Sequence, residues 1–162
     1  MSRGHERRRL WLTFLPAWGA AALLGTACGG SFLTGASSAD ATDLKSGLRT
    51  HFSICFTGGG YNCVVDGDTI WLRGVKIRIA DIDAPETHDP HCSSEKQLGD
   101  RATLRLWQLL NGGIVTLETV DRDRDLYGRE LRIVDVNGRS VGDALVAEGL
   151  ARKWDGARHP WC

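Results

Sequence analysis

Three polar stretches hold the residue types that could do chemistry: Asp66-Gly67-Asp68-Thr69, Arg78-Ile79-Ala80-Asp81-Ile82-Asp83-Ala84-Pro85-Glu86-Thr87, and Tyr127-Gly128-Arg129. Carboxylates supply hard oxygen ligands to a cation or take a proton from water. Guanidiniums donate paired hydrogen bonds to an oxyanion. Taken singly, each stretch has a plain reading: Asp-Gly is a turn, and an acidic residue after a strand is solvated or caps a helix. A site requires that the three meet in space.

The elements that must bring them together can be read from periodicity. Asp66-Gly67 lies between the β-branched run ending at Val65 and the run Asp68–Leu72, which predicts a hairpin. After Arg73-Gly74, the run Val75–Ile82 alternates, with Val75, Ile77 and Ile79 on one face and Lys76 and Arg78 on the other; Ala84-Pro85 stops it. Ser94-Glu95-Lys96-Gln97 reads as a capping box opening a helix. Leu98, Ala102, Leu106, Leu109 and Leu110 continue that helix at helical spacing up to Asn111-Gly112-Gly113. Ile114–Val120 and Glu130–Val136 are two further strands, and Val141–Glu148 is a short helix. A weaker strand is expected within His51–Phe56. Three strands, a helix, two strands and a short helix make a mainly β, α+β domain: a five-stranded OB-fold barrel with a helix between strands three and four.

The chain has 20 basic and 20 acidic residues. Arg3, Arg7, Arg8 and Arg9, and Glu6 among the acids, precede Leu10, so from Asp40 onward 16 basic and 19 acidic residues leave a net charge of −3. That excludes a coat protein binding nucleic acid through bulk positive charge; any phosphate contacts must be few and local. Arg7-Arg8-Arg9 followed by the apolar run Leu10–Leu24 reads as an export leader over residues 1–39, cut after Ala27 or Ala39 or kept as an anchor, ahead of a domain at 40–162. Small residues before Cys28 also suggest a lipoprotein site. A secreted or periplasmic location is expected, or a membrane-anchored one facing the extracytoplasmic side. The remaining cysteines, Cys55, Cys63, Cys92 and Cys162, read as two disulfides. Of the three possible pairings, Cys55–Cys63 brackets the short Gly58-Gly59-Gly60 turn, which leaves Cys92–Cys162. A zinc reading of His88, His91, Cys92, His159 and Cys162 lacks the usual finger spacing.

Val-Asp-Gly-Asp-Thr at 65–69, Arg-x-x-x-x-Asp-x-Pro-Glu-Thr at 78–87 and Tyr-Gly-Arg at 127–129, in this order, resemble the staphylococcal nuclease (thermonuclease) family. The resemblance runs from about Val64 to Ala151. It implies an OB-fold, Ca2+ and hydrolysis of DNA and RNA, in a protein expected to be monomeric. By position, it implies that Asp68, Asp83 and the Ala84 carbonyl hold the metal. Glu86 is implied to deprotonate or orient the attacking water, and Arg78 and Arg129 to grip the phosphate. Tyr127 and Trp154 are candidate substrate contacts. Trp154 either stacks on a base or plugs the barrel mouth, and Asp81 either supports the metal site or is salt-bridged or solvated.

The sequence departs from the family at Leu126, where a lysine is usual, at Ala84, where threonine is common, and beyond Ala151, where tyrosines and a further helix are usual. A non-catalytic OB module that binds nucleic acid or peptide is the rival reading; Arg78, Asp83, Glu86 and Arg129 are the residues such a module would be expected to lose. Asp121, Asp123 and Asp125 imitate an EF-hand start, but Leu126 and Arg132 stand where that loop needs glycine and glutamate.

Overall fold

A computed structural model describes residues 47–56 and 59–162. The leader expected over 1–39, both of its cleavage points and Gly58 lie outside the described residues. The elements are β1 (Ser53–Ile54), β2 (Cys63–Val64), β3 (Thr69–Leu72), β4 (Val75–Ile79), β5 (Ile82–Asp83), α1 (Ser93–Asn111), β6 (Val115–Arg124), β7 (Glu130–Val136), β8 (Arg139–Ser140), α2 (Val141–Ala147) and β9 (Arg152–Lys153).

The main sheet runs β1-β2-β3-β4-β7-β6, with β4 and β7 parallel and β2, β3 and β4 joined antiparallel. Leu48 bridges Val115 at the β6 edge, and shortly afterwards Ser53 pairs with Cys63 at the other side of the sheet. One segment thus reaches both edges, and the sheet curls into an OB-like half-barrel. α1 falls between β5 and β6, after the strands read up to Ile82 and before the strand read from Ile114, as the pattern predicted. Its Leu106 and Leu110 join Phe52, Ile70, Ile77, Ile79 and Val134 in the core, and its Ala102 is buried as well.

Turn chemistry sets the registers. Arg73 and Gly74 both have positive φ, 51° and 79°, the geometry of a two-residue hairpin whose twist matches its strands. Asn137 and Gly138 repeat it between β7 and β8. Gly112 ends α1, its N–H bonding to the Leu109 carbonyl.

Three local expectations change, and one open alternative is decided. The run Val75–Ile82 breaks after Ile79, and β5 leaves the main sheet to pair with β9, which no periodicity announced. The strand from Val115 extends to Arg124 through a register shift after Thr119, so Asp121 to Arg124 are strand rather than loop. The helix opens at Ser93 with Cys92 as N-cap and no side-chain cap; Glu95 reaches back to the His91 N–H instead (2.6 Å). Asp81 turns toward Gly142 and pairs with Lys153 at 3.3 Å, the salt-bridged alternative.

The disulfides are Cys55–Cys63 and Cys92–Cys162, with Cα separations of 5.2 and 6.2 Å. Both sulfurs of the suspected zinc cluster are therefore consumed. Cys55–Cys63 closes a loop of 8 residues, so replacing both cysteines with serine is expected to cost about 2–3 kcal/mol in urea unfolding through the freed chain entropy.

Candidate active site

The site begins with an arginine in an unexpected environment. Strand alternation puts Arg78 on the face of β4 opposite Ile77 and Ile79, yet it is only 7% exposed. Carboxylates cover it. Nη1 forms an ion pair with Asp68 Oδ2, and Nη2 lies 3.5 Å from Asp83 Oδ1 and 3.2 Å from the Ile82 carbonyl. The Trp154 ring sits 5.8 Å from the guanidinium.

Asp68 is the hub. Its Oδ2 also accepts the Ala84 N–H at 3.1 Å, and its Oδ1 accepts the Thr69 hydroxyl at 2.9 Å. The same hydroxyl lies 3.5 Å from Arg129 Nη1. One polar chain therefore runs from Arg129 through Thr69, Asp68 and Arg78 to Asp83, joining all three sequence stretches.

Gly67 makes this convergence possible, for a reason other than its turn. Its φ is not in the left-handed region; instead, a Cβ there would lie 2.7 Å from the methyls of both Ala84 and Ala102. Those methyls cannot rotate away. Gly67→Ala is expected to push the Asp68 turn off α1, to cost about 1–3 kcal/mol in urea unfolding and to lower turnover through the displaced carboxylate.

Asp66 serves the turn, accepting the Asp68 N–H at 3.1 Å. Burial, then the Asp68 charge, push its carboxyl up to about 7. Burial and Asp68 likewise raise Asp83, while Arg78 and Arg158 pull it back. The Asp68 and Asp83 carboxylates repel each other and present hard oxygen donors side by side; a divalent cation relieves such repulsion, so the donor set fits one. Among the described residues, no group of three His, Cys, Asp or Glu side chains forms a cage, so Asp68 and Asp83 would make only part of a shell.

Glu86 stands on the loop after β5, which lies directly against α1: a Cβ on Gly99 would meet the Pro85 and Glu86 carbonyls at 2.7 and 2.9 Å. The buried Glu95 also holds that loop, accepting the Glu86 N–H at 3.4 Å and bonding His91 through its N–H and ring. The Glu86 carboxylate itself meets Arg158 Nη1 at 2.5 Å.

Arg129 is aimed by Asp125. Oδ2 of Asp125 accepts from Arg129 Nε at 2.6 Å, and Oδ1 accepts the Tyr127 and Arg129 N–H groups at 2.9 Å each. Burial raises this carboxyl, but the Arg129 bonds outweigh it and hold it below the usual range. The apparent calcium loop is therefore an arginine mount, with Asp123 bound to Arg132 at 2.8 Å.

An open groove of about 1120 Å³ is lined by Lys76, Arg78, Tyr127, Arg129, Trp154 and Arg158. Trp154 is 40% exposed along this wall, so it does not plug the barrel. Tyr127 is exposed, 5.5 Å from the Arg129 guanidinium. A second cavity of about 400 Å³ is lined by Asp83, Ala84, Glu86, Arg158 and Trp161. Sequence reasoning missed Thr69 as a bridge, Asp125 and Glu95 as supports, and Arg158. For Arg158, the one signal was the Cys92–Cys162 pairing, which folds its segment back.

Residues 76–160 match the family model described as staphylococcal nuclease homologue. The chain is similar to endonuclease YncB of Bacillus subtilis (strain 168), with 43% identity over 93 residues, 54% of this chain and 44% of that protein. It is also similar to the SPbeta prophage-derived endonuclease YokF of the same strain, 43% identical over 93 residues, covering 54% of this chain and 31% of that one. Endonuclease YhcR, again from that strain, is 38% identical over 99 residues, 54% of this chain and 8% of its own length. The match spans less than half the length of each.

Proposed function

Because the chain belongs to the family of staphylococcal nuclease homologues, we propose that it is a calcium-dependent phosphodiesterase that hydrolyses DNA and RNA by attack of water on phosphorus. The observation that carries this reading is the chain of contacts from Arg129 through Thr69 and Asp68 to Arg78 and Asp83, beside Glu86. It supplies an oxyanion grip, hard oxygen donors and a water-handling carboxylate in one place.

Arg78 and Arg129 bind the phosphoryl oxygens and stabilise the charge that builds on them during displacement. Buried contacts fix both guanidiniums beforehand, so little reorganisation is needed at the moment of reaction. Glu86 orients the attacking water or takes its proton. Tyr127 and Trp154 flank the groove, where bases can stack on their rings. Asp68, Asp83 and the Ala84 carbonyl would hold calcium, which when bound polarises a phosphoryl oxygen and offsets phosphate charge.

Export fits the same reading. Structural disulfides such as these two form and persist mainly in oxidising compartments, and Arg7-Arg8-Arg9 ahead of an apolar run suits a leader.

The test uses the full chain with end-labelled DNA and RNA oligonucleotides in calcium, following length on a gel and binding by anisotropy. Shortened products from both substrates are expected. Binding of either without any shortening would favour a non-catalytic OB module instead.

A further inference from the structure

We propose that Arg158 is a third phosphate-contacting arginine of this site, carried on a strap that the Cys92–Cys162 disulfide fastens beside the carboxylates. The inference rests on the phosphodiesterase reading and adds a residue to it.

The strap is a closed structure in its own right. It leaves β9 at Trp154, whose N–H bonds to the Asp81 carbonyl at 2.8 Å. Asp155 then turns it, accepting from the Ala157 N–H at 3.2 Å and bonding the His159 ring at 2.8 Å. Arg152 gathers the return: Nη1 donates to the Pro160 carbonyl at 3.0 Å, and its guanidinium lies 3.7 Å from the centre of the Trp161 ring. Cys162 is bonded to Cys92, the N-cap of α1. Arg158 sits between these anchors, and the strap as a whole sets its position.

That position is at the junction of both cavities. Arg158 lines the basic groove with Arg78 and Arg129, and it lines the carboxylate cavity with Asp83 and Glu86. Its hydrogen bond among the described residues joins Nη1 to Glu86. Its charge also acts on Asp83 and Asp68. The guanidinium fork carries five donors, so a phosphate in the groove can be met by the others. A purely structural purpose explains the arrangement poorly. The Arg158 and Glu86 side chains are 55% and 31% exposed, and an ion pair this open adds little to stability.

The test compares wild type, Arg158→Ala and Arg158→Lys as full-length oxidised proteins. Turnover and anisotropy of a labelled oligothymidylate are measured across a salt series. Arg158→Ala is expected to raise KM about tenfold and to flatten the plot of log affinity against log salt by about 0.7, the loss of one contact to a single strand. Arg158→Lys keeps the charge, so it should restore that slope while recovering only part of kcat/KM. Cys92→Ser/Cys162→Ser should reproduce the Arg158→Ala change and add nothing when combined with it.

A fall in kcat with KM and salt slope unchanged would show that Arg158 only steadies Glu86, and would overturn the proposal. Full affinity in the double serine variant would overturn the strap. If wild type binds the oligonucleotide but never cleaves it, the phosphodiesterase reading fails, while the salt slope still decides whether Arg158 meets phosphate.

Discussion

Glu86→Gln and Arg129→Ala are each expected to lower kcat about 10²–10³-fold, the usual loss when a water-activating or charge-stabilising group is removed. The two should differ in KM. Gln keeps the shape of Glu86 and its backbone bond to Glu95, so substrate binding should hardly change while the water loses its carboxylate base. Arg129→Ala removes a phosphate contact as well and should raise KM. Neither should unfold the protein. Both residues lie outside the core, on the loop after β5 and at the foot of β7; Arg158 is exposed enough to hydrate, and the largely buried Asp125 carboxylate keeps its two backbone N–H donors. Steady-state kinetics with circular dichroism check both halves; near-normal kcat in either variant would remove that residue from the mechanism.

Asp68→Asn should act on metal, substrate and fold together. It removes one of the two carboxylates proposed to hold calcium and leaves Arg78 buried with Asp83 as its remaining carboxylate partner. Calcium affinity by calorimetry is expected to drop at least about tenfold, since charge count tunes such sites. Urea unfolding should show a loss of up to about 3 kcal/mol, because a buried charge loses its partner. Asp83→Asn, with the longer contact to Arg78, should lose calcium affinity at a smaller cost in stability. Unchanged calcium binding in both variants would place the metal elsewhere.

How much of this was legible in the sequence depended on distance along the chain. Hairpins, the C-terminal end of α1 and most of its inward stripe follow from neighbours a few residues apart, and they appeared where alternation and turn residues put them. The three site stretches were legible because each is short and keeps its internal order. Gly67 was legible as a turn but not as a contact: its need is for a missing Cβ between Ala84 and Ala102, and steric need across elements has no local pattern. Glu95 looked like half of a capping box and is instead a buried acceptor holding the Glu86 loop. Arg158 reaches Glu86 across 72 residues, and β9 finds β5 across a similar span; no periodicity encodes either. Cysteine pairing was the only long-range statement available, and it pointed to the segment that carries Arg158.

The central claim is that these residues make a metal-assisted hydrolytic site, and one reaction tests it most directly. The full-length oxidised protein is given plasmid DNA in calcium, then excess chelator, then excess calcium, with strand breaks followed on a gel throughout. Cleavage is predicted in the first phase, arrest in the second and resumption in the third, with Glu86→Gln silent in all three. Cleavage that continues unchanged in chelator, or intact plasmid in every phase with the wild-type protein, would contradict it.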